Sequence, residues 1–249
     1  MKFSTTGLII KQQNIGEQDR LVTVLSENGV LRAFVRRAKN IKSPKCASTG
    51  LLCYSKLLIS EHRNSYNINE AESIEMFIGL RKSIDNTSLA QYFCELCIHL
   101  CPKESEAKEF LRLMLNSLYL LSNNKKDPLL IKFCFEMRLI SMCGYMPDLV
   151  MCDICGEYEK EQMLFVPKTG KLYCKSCADH AAISGVALNK SGVLALRHAV
   201  YSDLEKLFAF EVSNELLTTL NFISENYITL ITERTFQTLQ FYKDITKGN

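Results

Sequence analysis

The sequence has little of what would take it out of the ordinary globular class. Its 249 residues include 5 Pro and 11 Gly, too few for a low-complexity or collagen-like chain. No apolar run approaches the roughly 18–20 residues that cross a bilayer. The opening MKFSTTGLIIKQQNIGEQDR has only a short apolar patch, so no signal peptide is expected. Internal repeats and long linkers are missing too. No Gly-rich phosphate loop, Ser-His-Asp arrangement or acidic metal motif emerges, and His62, His99 and His198 sit in no partner pattern. The chain offers no catalytic constellation.

What is present is a core-forming composition, 47% hydrophobic and 23% charged, long enough for one large domain or two to three small ones. The 11 cysteines, an odd number without an export signal, fit a reducing cytoplasm better than a disulfide framework. The net charge of +3 hides a division: residues 1–50 carry +6 and the remainder −3. A basic end on a mildly acidic chain points to an anionic polymer as partner.

The first eighty residues read as five short strands. TTGLIIKQ and RLVTVLS are β-rich, and SENGVLRAFVRR contains Asn28-Gly29, the dipeptide favoured by type I′ hairpin turns. LLCYSKLLISE and SYNINEAES follow around a polar turn at His62-Arg63-Asn64. Five strands in so short a span suit a small closed barrel, which leaves no exposed edges. From about residue 77 the pattern is helical. One helix is expected to start with Ser105 as N-cap and to bury Phe110, Leu111, Met114, Leu115, Leu118 and Leu121. The next has Asp127 as N-cap, Pro128 at the first position, Gly144 after the last turn and Pro147 beyond it. Cys94, Cys97 and Cys101 fall on a helical stretch as part of a buried face.

Two Cys-x-x-Cys pairs, Cys152/Cys155 and Cys174/Cys177, have the separation of a zinc site. MLFV-PKTG-KLYC between them reads as a hairpin that brings the second pair opposite the first, the layout of a zinc ribbon. Four thiolates close a tetrahedral shell, so the ion would be structural, with Lys160, Lys168, Lys171 and Lys175 near enough to offset its charge. A thioredoxin-type redox pair, a catalytic zinc and metal-free buried cysteines are the competing readings; His180, three residues past Cys177, could replace a ligand but reads as a surface residue.

Arg32, Arg36, Arg37, Lys39, Lys42 and Lys45 place six cations in fourteen residues without an acid. If VLRAFVR is a strand, Leu31, Ala33 and Val35 share the inner face, and Arg32, Phe34 and Arg36 the outer. An outward aromatic between arginines suits single-stranded nucleic acid, with charge for phosphates and a ring for a base. The alternative places Phe34 against the helical part with the charges on a solvated face.

FEMRLISMCGYMPDLVMCDICG, from Phe135 to Gly156, resembles the helix-to-cysteine junction of the bacterial RecO family in Phe135-Glu136, Leu139, Gly144-Tyr145, Pro147 and Cys152 with Cys155. The opening resembles it in Gly7-Leu8-Ile9-Ile10, in Gly16-Glu17-x-Asp19-Arg20 and in Gly29-Val30-Leu31-Arg32. The resemblance implies an α+β chain with a five-stranded OB-fold barrel, residues 1–78, for DNA binding. A helical domain, 79–249, would follow, interrupted at 150–182 by a four-cysteine zinc insertion. It implies a non-enzymatic, cytoplasmic, nucleoid-associated mediator that binds single- and double-stranded DNA and anneals complementary strands. With RecR it would load RecA onto DNA coated by single-strand-binding protein, and RecF is a further candidate partner. Its zinc ligands would be Cys152, Cys155, Cys174 and Cys177. Two other function classes compete: a zinc-ribbon module of transcription or RNA metabolism, and a zinc nuclease or thiol oxidoreductase.

Overall fold

The structure is a computed structural model and describes residues 2–40, 42–62, 65–103 and 105–247; Arg63 and Asn64 of the expected polar turn lie outside the described residues. In chain order the elements are β1 (Lys2–Ile15), β2 (Asp19–Ser26), β3 (Gly29–Val35), α1 (Pro44–Ser48), β4 (Tyr54–His62), β5 (Ser65–Glu75), α2 (Ile84–Leu100), α3 (Lys108–Ser122), α4 (Pro128–Ile140), β6 (Asp148–Cys152), β7 (Gln162–Val166), β8 (Lys171–Cys174), α5 (Lys175–His180), β9 (Val186–Asn189), α6 (Lys190–Tyr201), α7 (Asn214–Thr232) and α8 (Gln237–Lys247). They form two compact units, residues 1–124 with 236–249 and residues 125–235.

In the first unit β1 to β5 close into a barrel of order β1-β2-β3-β5-β4. Every pairing is antiparallel except β3 with β5. Alternation puts Val22, Val24, Ala33, Val35, Leu57, Ile59 and Ile68 inside, and the expected inner face of β3 is found there. The register of β1 shifts between Ile9 and Lys11, a bulge that bends one long strand enough to pair with both β2 and β4. Gly7 meets β2 so closely that a Cβ would lie 2.4 Å from Val24 Cγ1.

Two sequence expectations give way here. The β2–β3 turn is built on Glu27-Asn28, because Ser26 pairs with Gly29. Gly29 alone takes a positive φ, +101°. The Ser26 hydroxyl donates to the Gly29 carbonyl and accepts from the Asn28 N–H, closing the turn without left-handed central residues. Ser105 does not cap α3. The helix starts three residues later at Lys108, because the Ala107 N–H donates to the Glu27 carbonyl and holds 105–107 against the β2–β3 turn. Leu111, Met114, Leu118 and Leu121 are buried on α3 as expected, Phe110 and Leu115 partly. Ser83 caps α2, whose buried face includes Cys94 and Cys97, with Cys101 buried just beyond the helix. Helix α8 packs on α2, with the Tyr92 and Phe236 rings edge to face at 5.9 Å.

The second unit joins α4, α6 and α7 to a four-stranded sheet of order β6-β8-β7-β9. Asp127 accepts the Leu129 N–H at 2.7 Å, and α4 unwinds through a wide turn over Ser141–Tyr145 where Gly144 has φ +90°. A side chain there would be strained. The hairpin expected around 163–174 is β7–β8, with Met163 opposite Cys174 and Val166 opposite Lys171. The sheet runs from Asp148 to Asn189, since β9 pairs with β7. Among the described residues no helix is long and apolar enough to cross a membrane.

Candidate metal centre and nucleic-acid interface

Strand order builds the cysteine cluster. β6 lies parallel beside β8, with Cys152 opposite Leu172, so the ends of both strands emerge side by side. Each then turns within three residues. After Cys152 the chain folds back through Gly156, φ +73°, whose N–H donates to the Cys152 carbonyl at 2.9 Å. After Cys174, α5 begins and its first turn carries Cys177. The ligand atoms of Cys152, Cys155, Cys174 and Cys177 all lie within 4.8 Å of one another, and the Cys155 and Cys174 sulfurs are 3.7 Å apart. A tetrahedron with metal–sulfur bonds near 2.3 Å has an edge of about 3.8 Å, so the cluster fits a metal ion. His180 is exposed and stands outside the cluster.

The four thiols are not electrostatically equal. Cys174 is held down at about 6, first by its hydrogen bond with Ser176, against burial, and with help from the Cys177 N–H. Burial pushes Cys152 up, but the N–H groups of Cys155, Cys174 and Ile154 outweigh it and leave it lowered. Cys177 is pushed up to about 12 by hydrogen bonding with Cys174 and then Cys155. The Ser176 hydroxyl and nearby backbone N–H groups thus favour the thiolate at Cys174, and backbone N–H groups do so at Cys152, while Cys155 and Cys177 are raised. Of the lysines expected near the site, Lys171 pairs with Asp153 at 2.6 Å, Lys160 with Glu157 at 3.2 Å and Lys175 with Asp179 at 2.7 Å. Lys168 is exposed.

Sequence reading missed the anchor of this ribbon. Arg197 of α6 donates through Nε to the Leu149 carbonyl and through Nη2 to the Val150 and Tyr158 carbonyls. Its guanidinium also lies 4.0 Å from the centre of the Tyr158 ring. One buried arginine therefore ties both limbs of the first cysteine turn to the helices. The RHAVY stretch carries no motif that would mark it.

On the barrel, Arg32, Phe34 and Arg36 all face outward, and Phe34 is 42% exposed. Arg37, Lys39 and Lys42 are exposed on the segment after β3, and Lys45 is half-buried on α1. Phe34, Arg36 and Lys45 share a groove of about 330 Å3 with Ser60, Asn67 and Asn69. Arg32 lies instead in a neighbouring depression of about 460 Å3 with Lys11 and Lys103. Those two lysines were not legible as part of the basic surface: strand pairing puts Lys11 opposite Thr23 and Thr23 opposite Arg32, and the Val30 N–H donating to the Pro102 carbonyl holds the segment of Lys103 beside β3.

The β1–β2 corner organises the basic segment. Asp19 accepts the Arg37 N–H at 2.9 Å, where Arg37 holds a left-handed φ of +54°. The Lys39 N–H donates to the Gln18 carbonyl, and Arg20 reaches the carbonyls of Cys46 and Thr49. The polar residues that carried the resemblance near residue 19 are scaffolding for the segment that bears the charge.

The family model for the N-terminal part of recombination protein O matches residues 1–77, and the model for its C-terminal part matches residues 81–240. The DNA repair protein RecO of Acetivibrio thermocellus is 32% identical over 246 residues, 98% of each chain. Its counterpart in Clostridium novyi is 30% identical over 226 residues, covering 90% of this chain and 84% of that one. The counterpart in Dehalococcoides mccartyi is 25% identical over 249 residues, 99% and 97% of the two chains. With a closed five-stranded barrel, a helical remainder and a clustered cysteine quartet in place, the chain belongs to the RecO family of DNA repair proteins.

Proposed function

We propose that the protein is a non-enzymatic DNA repair and recombination mediator. It binds single- and double-stranded DNA, anneals complementary strands and, with RecR, helps load RecA onto DNA coated by single-strand-binding protein; RecF is a further candidate partner. The observation that carries this is the outer wall of β3. Phe34 stands exposed between Arg32 and Arg36, beside a groove that also holds Lys45. A polar and cationic groove follows a phosphate backbone, and an exposed ring gives one base a stacking surface while the others stay free to pair. Residues 1–78 are the DNA-binding part on this reading, with Arg37, Lys39 and Lys42 extending the charged surface. Residues 79–249 are the helical part that carries the insertion at 150–182.

One zinc ion, held by Cys152, Cys155, Cys174 and Cys177, supports the reading structurally. When bound it would supply folding free energy to the sheet that carries its ligands. The protein's own residues position the sulfurs and donate N–H groups to them. The test is an annealing assay. Complementary strands precoated with single-strand-binding protein are mixed with the zinc-loaded protein, with and without RecR. Duplex formation should accelerate without nucleotide and without strand cleavage; no acceleration at low salt contradicts the proposal.

A further inference from the structure

Between the barrel and α2 lies a further pocket of about 300 Å3, with Gln12, Arg20, Leu52, Phe77, Arg81 and Gln91 in its wall. Arg20 is only 9% exposed. Its Nη1 is engaged with the Cys46 and Thr49 carbonyls, each at 3.1 Å, but its Nε has no hydrogen-bond partner. A buried guanidinium N–H without an acceptor is costly; Arg20 forms part of the pocket wall, and a small shift of its side chain toward an oxyanion there would satisfy the N–H. Two wall residues add strain at the same place: Leu52 and Phe77 hold φ of +62° and +46°, a conformation that side-chain-bearing residues keep mainly where the surroundings impose it, often at ligand sites.

The pocket is one end of a furrow. It shares Gln12, Leu51 and Gln91 with a second depression. That depression shares Lys11 and Ile98 with the one holding Arg32 and Lys103. Along α2 the furrow runs from Thr87 to Ile98, about 16 Å at 1.5 Å per residue. Five cations line it: Arg20, Arg81, Lys11, Lys103 and Arg32. The acid among its described lining residues is Glu95, whose carboxylate accepts from the backbone N–H and hydroxyl of Thr238. The pocket is larger than a phosphate alone needs, and Leu52 and Phe77 give it an apolar wall suited to a sugar or base.

We propose that this pocket receives the phosphorylated terminal nucleotide of a DNA strand. The phosphate meets Arg20 Nε–H and Arg81, the nucleoside lies against Leu52 and Phe77, and the chain follows the furrow to Arg32. The inference rests on the DNA-binding reading of β3 and adds a preference for a phosphorylated end.

The experiment uses full-length, zinc-loaded protein and oligothymidylates of one length carrying a 5′-phosphate, a 3′-phosphate or neither, with affinity read by fluorescence anisotropy. One phosphorylated end should bind at least about tenfold tighter than the unphosphorylated strand, the range of a charge-assisted hydrogen bond. Arg81→Glu, at an exposed position, should abolish that preference. In parallel, the Arg20 Nε–H resonance should shift on adding the preferred strand. Equal affinity for the three strands overturns the inference while leaving the DNA-binding reading intact; no binding of any strand defeats that reading first. Saturable shifting of Arg20 Nε–H by thymidine monophosphate, with no gain from an end phosphate, overturns the strand-end assignment in favour of a free nucleotide. Arg36→Glu/Arg37→Glu should weaken all three strands alike and keep the preference.

Discussion

Lys132 and Glu136 lie one turn apart on α4, and both are fully buried. Lys132 Nζ is 2.9 Å from Glu136 Oε1 and 2.9 Å from Glu225 Oε1, and the Ser224 hydroxyl donates to Glu136 Oε2. Burial pushes the Glu136 carboxyl up from its ordinary 4.5, with Lys132 pulling it back. Replacing Lys132 by Met removes the restraint and leaves a carboxylate in an apolar site. The cost expected at neutral pH is about 3–5 kcal/mol, read by denaturant unfolding. A folded-state pKa above the unfolded value gives stability that is full below the unfolded value and lost as pH rises through the folded one. The variant should therefore come closest to wild type in acid and fall furthest behind at neutral pH; a deficit that does not vary with pH would contradict this. The pair hid in the sequence because Lys and Glu four apart usually mark a solvated helix face. At the barrel, Phe34→Ala should weaken single-strand binding by about 1–3 kcal/mol if one base stacks on the ring, with duplex binding affected less. Equal loss on both substrates would assign Phe34 another role.

At the level of elements, the cysteine ribbon and the barrel were legible to different depths. Cys-x-x-Cys spacing gives the ligand turns directly, and the β7–β8 hairpin follows from the turn residues between them. The contribution of Arg197, and of the N–H groups that face Cys152 and Cys174, depends on tertiary placement that no local pattern encodes. The alternation in β3 was readable because period two with Ala33 and Val35 inside leaves only one outer face. The start of α3 was not, because the Ala107–Glu27 hydrogen bond joins segments eighty residues apart. Cys174→Ser removes a sulfur that is buried and central to the cluster, so it should lower metal content below one ion per chain and loosen the sheet. The readouts are a metal assay and hydrogen exchange at β6 to β8. Full protection in a metal-free variant would contradict a structural role.

Across the molecule, charge divides as the sequence suggests, +6 in the first fifty residues against −3 in the rest. Apart from the buried Arg20, the cations of that segment are exposed or half-exposed, while the barrel interior stays apolar. The grouping of α2, α3 and α8 with the barrel was not legible, since α8 is the last element of the chain and returns to α2. The proposed grip of the outer wall of β3 on a polyanion is tested most directly by the salt dependence of single-strand binding. If the six cations from Arg32 to Lys45 each contact a phosphate, log K should fall against log salt with a slope of about −4. Arg36→Glu/Arg37→Glu should weaken binding at every sequence tested and flatten the slope by about 1.4. Affinity and slope that survive this double reversal unchanged would place the DNA on another surface.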